Sequence, residues 1–185
     1  FSNLFSFSAG EYEGRQSAFT EKTINEVVRA SYEMGEVKTG ALIVIEQNVA
    51  LGEYVRTGIS IDGLVTSQLL INIFEHNTPL HDGAVIIRGN RIVSATCYLP
   101  LTDSMDIGKE LGTRHRAAVG ISEVSDSLTI IVSEETGAVS LAKDGRLYKH
   151  LQKEELVEKL QQLKVDDTGN ADVFKKWKDL LRNEK

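Results

Sequence analysis

The sequence predicts an α/β fold, a single domain with a central mixed β-sheet flanked by helices. Three observations carry that expectation. Segments with helical apolar spacing alternate along the chain with short aliphatic runs. Two of those runs are continuous rather than alternating, as in strands covered on both faces. Tight-turn dipeptides join neighbouring strands, so antiparallel pairs share the sheet and a purely parallel arrangement is excluded.

The elements follow in order. From Thr20 to Met34 the residues Ile24, Val27, Val28 and Met34 keep helical spacing, with Thr20 placed to cap and Gly35 to stop. Gly40 to Glu46 is a run of aliphatics and reads as a covered strand. A second helix is predicted from about Val65 to Phe74, closed by Asn77-Thr78-Pro79. Ala84 to Arg88 and Ile92 to Leu99 are β-rich and joined by Gly89-Asn90, a hairpin signal. Gly112 to Glu123 reads as a loop feeding a helix that buries Ala117, Ala118 and Ile121. Leu128 to Ser133 is a second covered strand, Ala138 to Ala142 returns from it, and Lys143 to Arg146 turns again. A charged amphipathic helix is expected over Lys153 to Lys164, and a last helix carries Val173, Phe174, Trp177, Leu180 and Leu181.

At 185 residues and 41% hydrophobic content the chain can bury one sizeable core plus a short appendage. A net charge of −6 speaks against nucleic acid as a partner, because that affinity needs a basic face. Small anions stay within reach of a few placed arginines. The lone Cys97 excludes an internal disulfide and a thiol-rich metal site, which fits a reducing compartment. The longest apolar runs fall far short of the roughly 20 residues of a membrane-spanning helix. The chain opens on Phe1, with Leu4, Phe5 and Phe7 close behind. That reads as the cut edge of a fragment, an expression scar being the plainer alternative.

The chain has no phosphate-binding Gly-x-x-x-x-Gly-Lys-Ser/Thr loop, no Gly-x-Gly-x-x-Gly, no His-Glu-x-x-His and no Gly-x-Ser-x-Gly. Three segments carry chemistry instead. In Pro79-Leu80-His81-Asp82-Gly83-Ala84, at a strand entry, Asp82 can bind a metal or polarise a hydroxyl while Gly83 lets a ligand approach the backbone; a turn aspartate bonded to its own backbone is the structural alternative. His81 beside it reads more simply as a structural histidine. Gly112-Thr113-Arg114-His115-Arg116-Ala117-Ala118 sets two guanidiniums and an imidazole at a helix start, a cradle for phosphate. Its alternative is a solvated patch paired with Glu110 or Glu123. Ser133-Glu134-Glu135-Thr136-Gly137 ends a buried strand, where Ser133 and Glu135 can reach a ligand, although acidic turns closed by glycine are common.

Asp82-Gly83-Ala84 and Arg114-His115-Arg116 occurring together, with Thr113, Tyr98-Leu99-Pro100 and Ser133 to Gly137, resemble the diadenylate cyclase domain, specifically the membrane-anchored type of Gram-positive bacteria. The resemblance runs from about Thr20 to Leu163 and holds at every motif position. It implies condensation of two ATP into cyclic di-AMP, with release of two pyrophosphates. It implies Asp82 holding a divalent ion, Mg²⁺ or Mn²⁺, with His81 contributing, and preparing the ribose 3′-hydroxyl. Thr113, Arg114, His115 and Arg116 would hold the triphosphate, and Gly83, Ala84, Tyr98, Leu99, Ser133 and Glu135 would shape the nucleotide pocket. A head-to-head homodimer follows from the two attacks each product needs. The resemblance divides the chain into a segment 1–19 following a membrane anchor, a catalytic domain 20–164 on the cytoplasmic side, and a helical tail 165–185. It further suggests a membrane regulator and phosphoglucosamine mutase as partners. The competing readings are a module that senses ATP or cyclic di-AMP without turnover, and a scaffold using its charged final helices.

Overall fold

The computed structural model describes residues 18–106, 108 and 111–163; the expected last helix lies outside them. The Thr20 hydroxyl accepts from the Thr23 amide at 3.3 Å and so caps α1 (Glu21–Glu36), whose buried stripe includes Ile24, Val27, Val28 and Met34. Then come β1 (Ala41–Ile45), α2 (Gly52–Val55), β2 (Ile59–Leu64) and α3 (Ser67–Phe74). β3 (Ala84–Arg88), β4 (Arg91–Cys97), α4 (Thr113–Val124), β5 (Leu128–Val132), β6 (Val139–Lys143) and β7 (Arg146–Tyr148) follow. A helix over 153–163, α5, ends the described chain.

The strands form one sheet in the order β2-β4-β3-β1-β5-β6-β7. β1 and β3 run parallel, and every other neighbouring pair is antiparallel, which makes the sheet mixed as the sequence predicts. Alternate residues divide the core between two layers. Ile43, Ile45, Val85, Ile87, Ile130 and Val132 pack with α1, α3 and α5. Leu42, Val44, Ala84, Ile86 and Ile131 pack on the other face with α4. Being covered twice is why β1 and β5 read as continuous aliphatic runs.

Helix α3 is fastened at its start. Thr66 caps it through the Leu69 amide at 3.1 Å, and the Glu26 carboxylate of α1 accepts from the Ser67 amide at 2.5 Å. That amide bond holds the Glu26 carboxyl below the usual carboxylate range despite some burial.

Two expectations are corrected. The strand read through Leu99 stops at Cys97, because Thr96 takes a φ of +56° beside a register shift in the β3–β4 ladder, and Pro100 follows. The helix read from Val65 begins at Ser67. β2, α2 and the short β7 lie where the sequence reading assigned no element.

The turn between β5 and β6 is closed by the Gly137 amide on the Ser133 carbonyl at 2.8 Å, and it is pressed against the end of α1. A Cβ on Gly137 would stand 2.2 Å from the Gly35 carbonyl oxygen, and Gly137 itself holds a φ of +76°. Both conditions demand glycine. Gly137→Ala should therefore cost about 2 kcal/mol or more in urea unfolding. An unchanged midpoint would mean that the two backbones part without resistance.

Candidate active site

Parallel β1 and β3 both begin at one end of the sheet, while their antiparallel neighbours β4 and β5 finish there. The loops at that end surround a cavity of about 840 Å³, within the range of small-ligand sites. Leu42, Val132, Ala138 and Ser140 belong to its wall on the sheet side, and Leu99, Leu101 and Leu111 add apolar surface.

The cavity gathers His81, Asp82, Gly83, Tyr98, Leu99, Thr113, Arg114, His115, Ser133 and Glu135, all singled out from the sequence. Gly83 has a φ of +89°, and a Cβ there would meet the Thr96 carbonyl carbon at 2.8 Å and the Cys97 oxygen at 2.9 Å. The Asp82 loop is thus seated directly on the bulged end of β4. His81 Nδ1 donates to the Thr78 carbonyl at 2.7 Å, which turns Nε2 to within 3.2 Å of Asp82 Oδ1. With Nδ1 donating to that carbonyl, Nε2 is the ring nitrogen that faces the Asp82 carboxylate. The Asp82 side chain is 85% exposed, open to a ligand at the rim. His76 packs edge-on against His81, their ring centroids 5.5 Å apart.

Opposite Asp82 stands the first turn of α4. Gly112 occupies its cap position and offers no side chain, so the opening amides keep their capacity to donate toward an anion. Arg114 lies over Gly40, where a Cβ would stand 2.7 Å from Nη1, and that Nη1 donates to Glu134 Oε2 at 2.7 Å. The turn that carries Ser133 and Glu135 therefore also orients the guanidinium. Ser133 Oγ accepts from the Glu135 amide at 3.3 Å and the Thr136 amide at 3.2 Å, which leaves its own hydrogen to donate.

Arg116 does not line the cavity, and neither does Ala84, which is fully buried beneath it. Thr113, Arg114, His115 and Ala117 all line the cavity from α4, and the Arg116 carbonyl accepts from the Thr102 amide at 3.1 Å and so holds the 100–102 segment. Sequence reading also missed Lys149, His150, His76 and Ser140, which the fold brings to the cavity from outside any motif.

The His115 ring is held below its ordinary value near 6.5, first by burial and then by the charge of Lys149, with Arg114 and His150 adding and Glu135 opposing. The unfolded chain therefore takes up the proton before the folded one as pH falls. The stability contributed by a neutral His115 is complete above about pH 6.5 and is lost as the pH drops below it. Urea midpoints followed from about pH 8 to about pH 5 should decline less for His115→Gln than for the wild-type chain. Equal acid sensitivity in both would refute this assignment.

Comparison with known proteins places this geometry in a family. The model for the nucleotide-binding DAC domain, described as DisA bacterial checkpoint controller nucleotide-binding, matches residues 28–147. The chain is 58% identical over 141 residues to the cyclic di-AMP synthase CdaA of Bacillus subtilis, a match covering 76% of this chain and 52% of that protein. It thus spans about half the length of that curated relative. A double cysteine mutant of DacA from Staphylococcus aureus superposes with a TM-score of 0.75 at 51% identity, covering 77% of this chain and 95% of that one. A hypothetical membrane-spanning protein from Bacillus cereus gives 0.69 at 47% identity, over 72% of this chain and 65% of that one. A family match across this core, on a fold shared at half identity, settles the kinship: the chain belongs to the DAC family of nucleotide-binding domains.

Proposed function

We propose that this domain is a diadenylate cyclase, joining two ATP molecules into cyclic di-AMP with release of two pyrophosphates. The observation that carries the reading is a cavity of nucleotide size lined by Asp82 with His81 and by Arg114 with the first turn of α4. Relatives named for this activity support it.

In each half-reaction a ribose 3′-oxygen bonds to the α-phosphorus of the other ATP while the bond to the β-phosphate oxygen breaks in line. The 3′-hydroxyl gives up its proton, and the exposed Asp82 carboxylate is the group suited to receive it. Arg114, the α4 amides and the Ser133 hydroxyl hold the phosphates, with Glu134 fixing the guanidinium until a ligand competes for it. Tyr98 and Leu99 offer the base an apolar wall. Arg116 is left out of the phosphate contacts, since it is not among the residues that line the cavity.

The donor set suits a divalent ion. Among the described residues no group of three or more metal-binding side chains occurs, so His81 and Asp82 would supply the protein ligands and phosphate oxygens and water the rest. That is how Mg²⁺ is usually held in nucleotide enzymes, and Mn²⁺ accepts the same oxygen donors. When bound, such an ion neutralises charge on the transferring phosphoryl group. The His81 bond to the Thr78 carbonyl orients Nε2 for that task.

Two attacks require two nucleotides, so a second copy must present its own across the open rim. Exposed Tyr98 and Leu101 at the cavity give that encounter apolar surface. Among the described residues no helix is long and apolar enough to cross a membrane. Membrane attachment through chain outside this domain, which would then lie on the cytoplasmic side, belongs to the same proposal, and a membrane-spanning neighbour supports it. A membrane regulator and phosphoglucosamine mutase are the partners the proposal names for the full-length protein.

Incubation with ATP and Mg²⁺ or Mn²⁺, followed by chromatography, should yield cyclic di-AMP and pyrophosphate. Asp82→Asn should abolish that product while its unfolding curve stays as in wild type; ADP and phosphate as products, or normal synthesis by the variant, would reject the reading. Activity per mole of enzyme should rise with protein concentration and then level off. A specific activity constant to the greatest dilution would argue against catalysis between copies.

A further inference from the structure

The end of the cavity away from Asp82 is built from residues that this scheme leaves unused. β6 is buried along Val139 to Ala142, and Ser140 is the one polar side chain in that run. Val139 and Leu141 pack with the α1 layer, so strand alternation turns Ser140 toward α4, where it lines the cavity at 3% exposure. A hydroxyl taken so far out of water is costly unless something answers it.

β6 and β7 pair Leu141 with Tyr148 and Ala142 with Leu147. Past Tyr148 the chain shifts register by one residue, His150 taking a φ of +53° and the Leu151 amide donating to the Val139 carbonyl at 2.8 Å, and Lys149 lines the same cavity as Ser140. Tyr148, paired with Leu141, faces the other way, where Lys159 Nζ sits 4.1 Å from its ring centroid. Lys149 and His115 line the same cavity, and the Lys149 charge is the strongest influence on His115 after burial, so the two groups lie within electrostatic reach. Three strand spacings, about 14 Å, separate β6 from the strand that Asp82 enters. The α4 turn with Arg114 stands between the two ends. A triphosphate whose α-phosphate lies at Asp82 therefore has its tail directed along Arg114 toward Ser140 and Lys149.

We infer that Ser140 and Lys149 form a subsite for the terminal phosphates of ATP and for the pyrophosphate that leaves. The inference rests on the cyclase reading for its substrate, and on the shared cavity wall of Ser140 and Lys149 for its geometry. An ammonium and a hydroxyl donor suit a phosphate oxygen, and neither group recognises a base or a ribose in particular.

The test is calorimetric titration of inorganic pyrophosphate and, separately, AMP into the wild-type domain, Lys149→Met, Lys149→Arg and Ser140→Ala, without divalent metal. Lys149→Met should weaken pyrophosphate by about ten-fold while AMP stays within about two-fold, and Lys149→Arg should restore most of the loss. Ser140→Ala should weaken pyrophosphate by about five-fold and spare AMP. Undetectable pyrophosphate binding by the wild-type domain, unchanged pyrophosphate affinity in Lys149→Met, or an equal loss for AMP would overturn the subsite. Product formation separates the two readings. Lys149-dependent pyrophosphate binding in a domain that makes no cyclic di-AMP would sink the cyclase and keep the subsite, whereas cyclic di-AMP synthesis with pyrophosphate affinity indifferent to Lys149 would do the reverse.

Discussion

The parallel register of β1 with β3, pairing Ile43 with Val85 and Ile45 with Ile87, is the constraint on which the site depends. Two parallel neighbours must start at the same end, and the chain between them has to cross back over a face of the sheet. α3 makes part of that return, and its two fastenings, Thr66 and Glu26, fix where the crossover passes. The Asp82 loop is thereby delivered next to the start of β1. Antiparallel pairing of β1 with β5 brings Ser133 to the same end from the other side. A carboxylate and a phosphate cradle separated by thirty positions in sequence become walls of one cavity through strand direction alone.

Electrostatics inside the cavity run against those of the whole molecule. The chain carries a net charge of −6, yet Arg114, Lys149, His115 and His150 meet at one end of the cavity. Glu134 and Glu135 temper that concentration, and Glu134 also holds the Arg114 guanidinium in place by a 2.7 Å bond. A neutral His115 spares the site one more positive charge among neighbours that would repel it. An anionic ligand reverses the balance, since it compensates the cations and competes with Glu134 for the guanidinium. The cationic groups of this cavity therefore complement an anionic guest.

Most of the sheet was legible because burial on both faces leaves an unmistakable aliphatic run, as in Ala41–Ile45 and Leu128–Val132. The caps at Thr20 and the turn at Gly89 could be read for the same reason, that local backbone geometry narrows the choice of residue. β2 escaped because it is an exposed edge strand whose alternation, Ile59-Ser60-Ile61, breaks at Asp62 with a φ of +47°. β7 is three residues long and leaves no period to find. Motif reading found Asp82 and Arg114 but treated Arg114 and Arg116 as a pair. Of that pair only Arg114 is among the residues that line the cavity. Ser140 and Lys149 illustrate the converse: neither belongs to a motif, and only the fold brings them to one cavity.

The contact between Gly35 and Gly137 has a mechanical meaning. Two backbones meet with no side chain to cushion them, so the first helix and the ligand-facing turn form a joint without slack. The turn at that contact carries Ser133 and Glu134, and through Glu134 it holds the guanidinium of Arg114. The placement of one cavity wall is in this way tied to where the first helix stops.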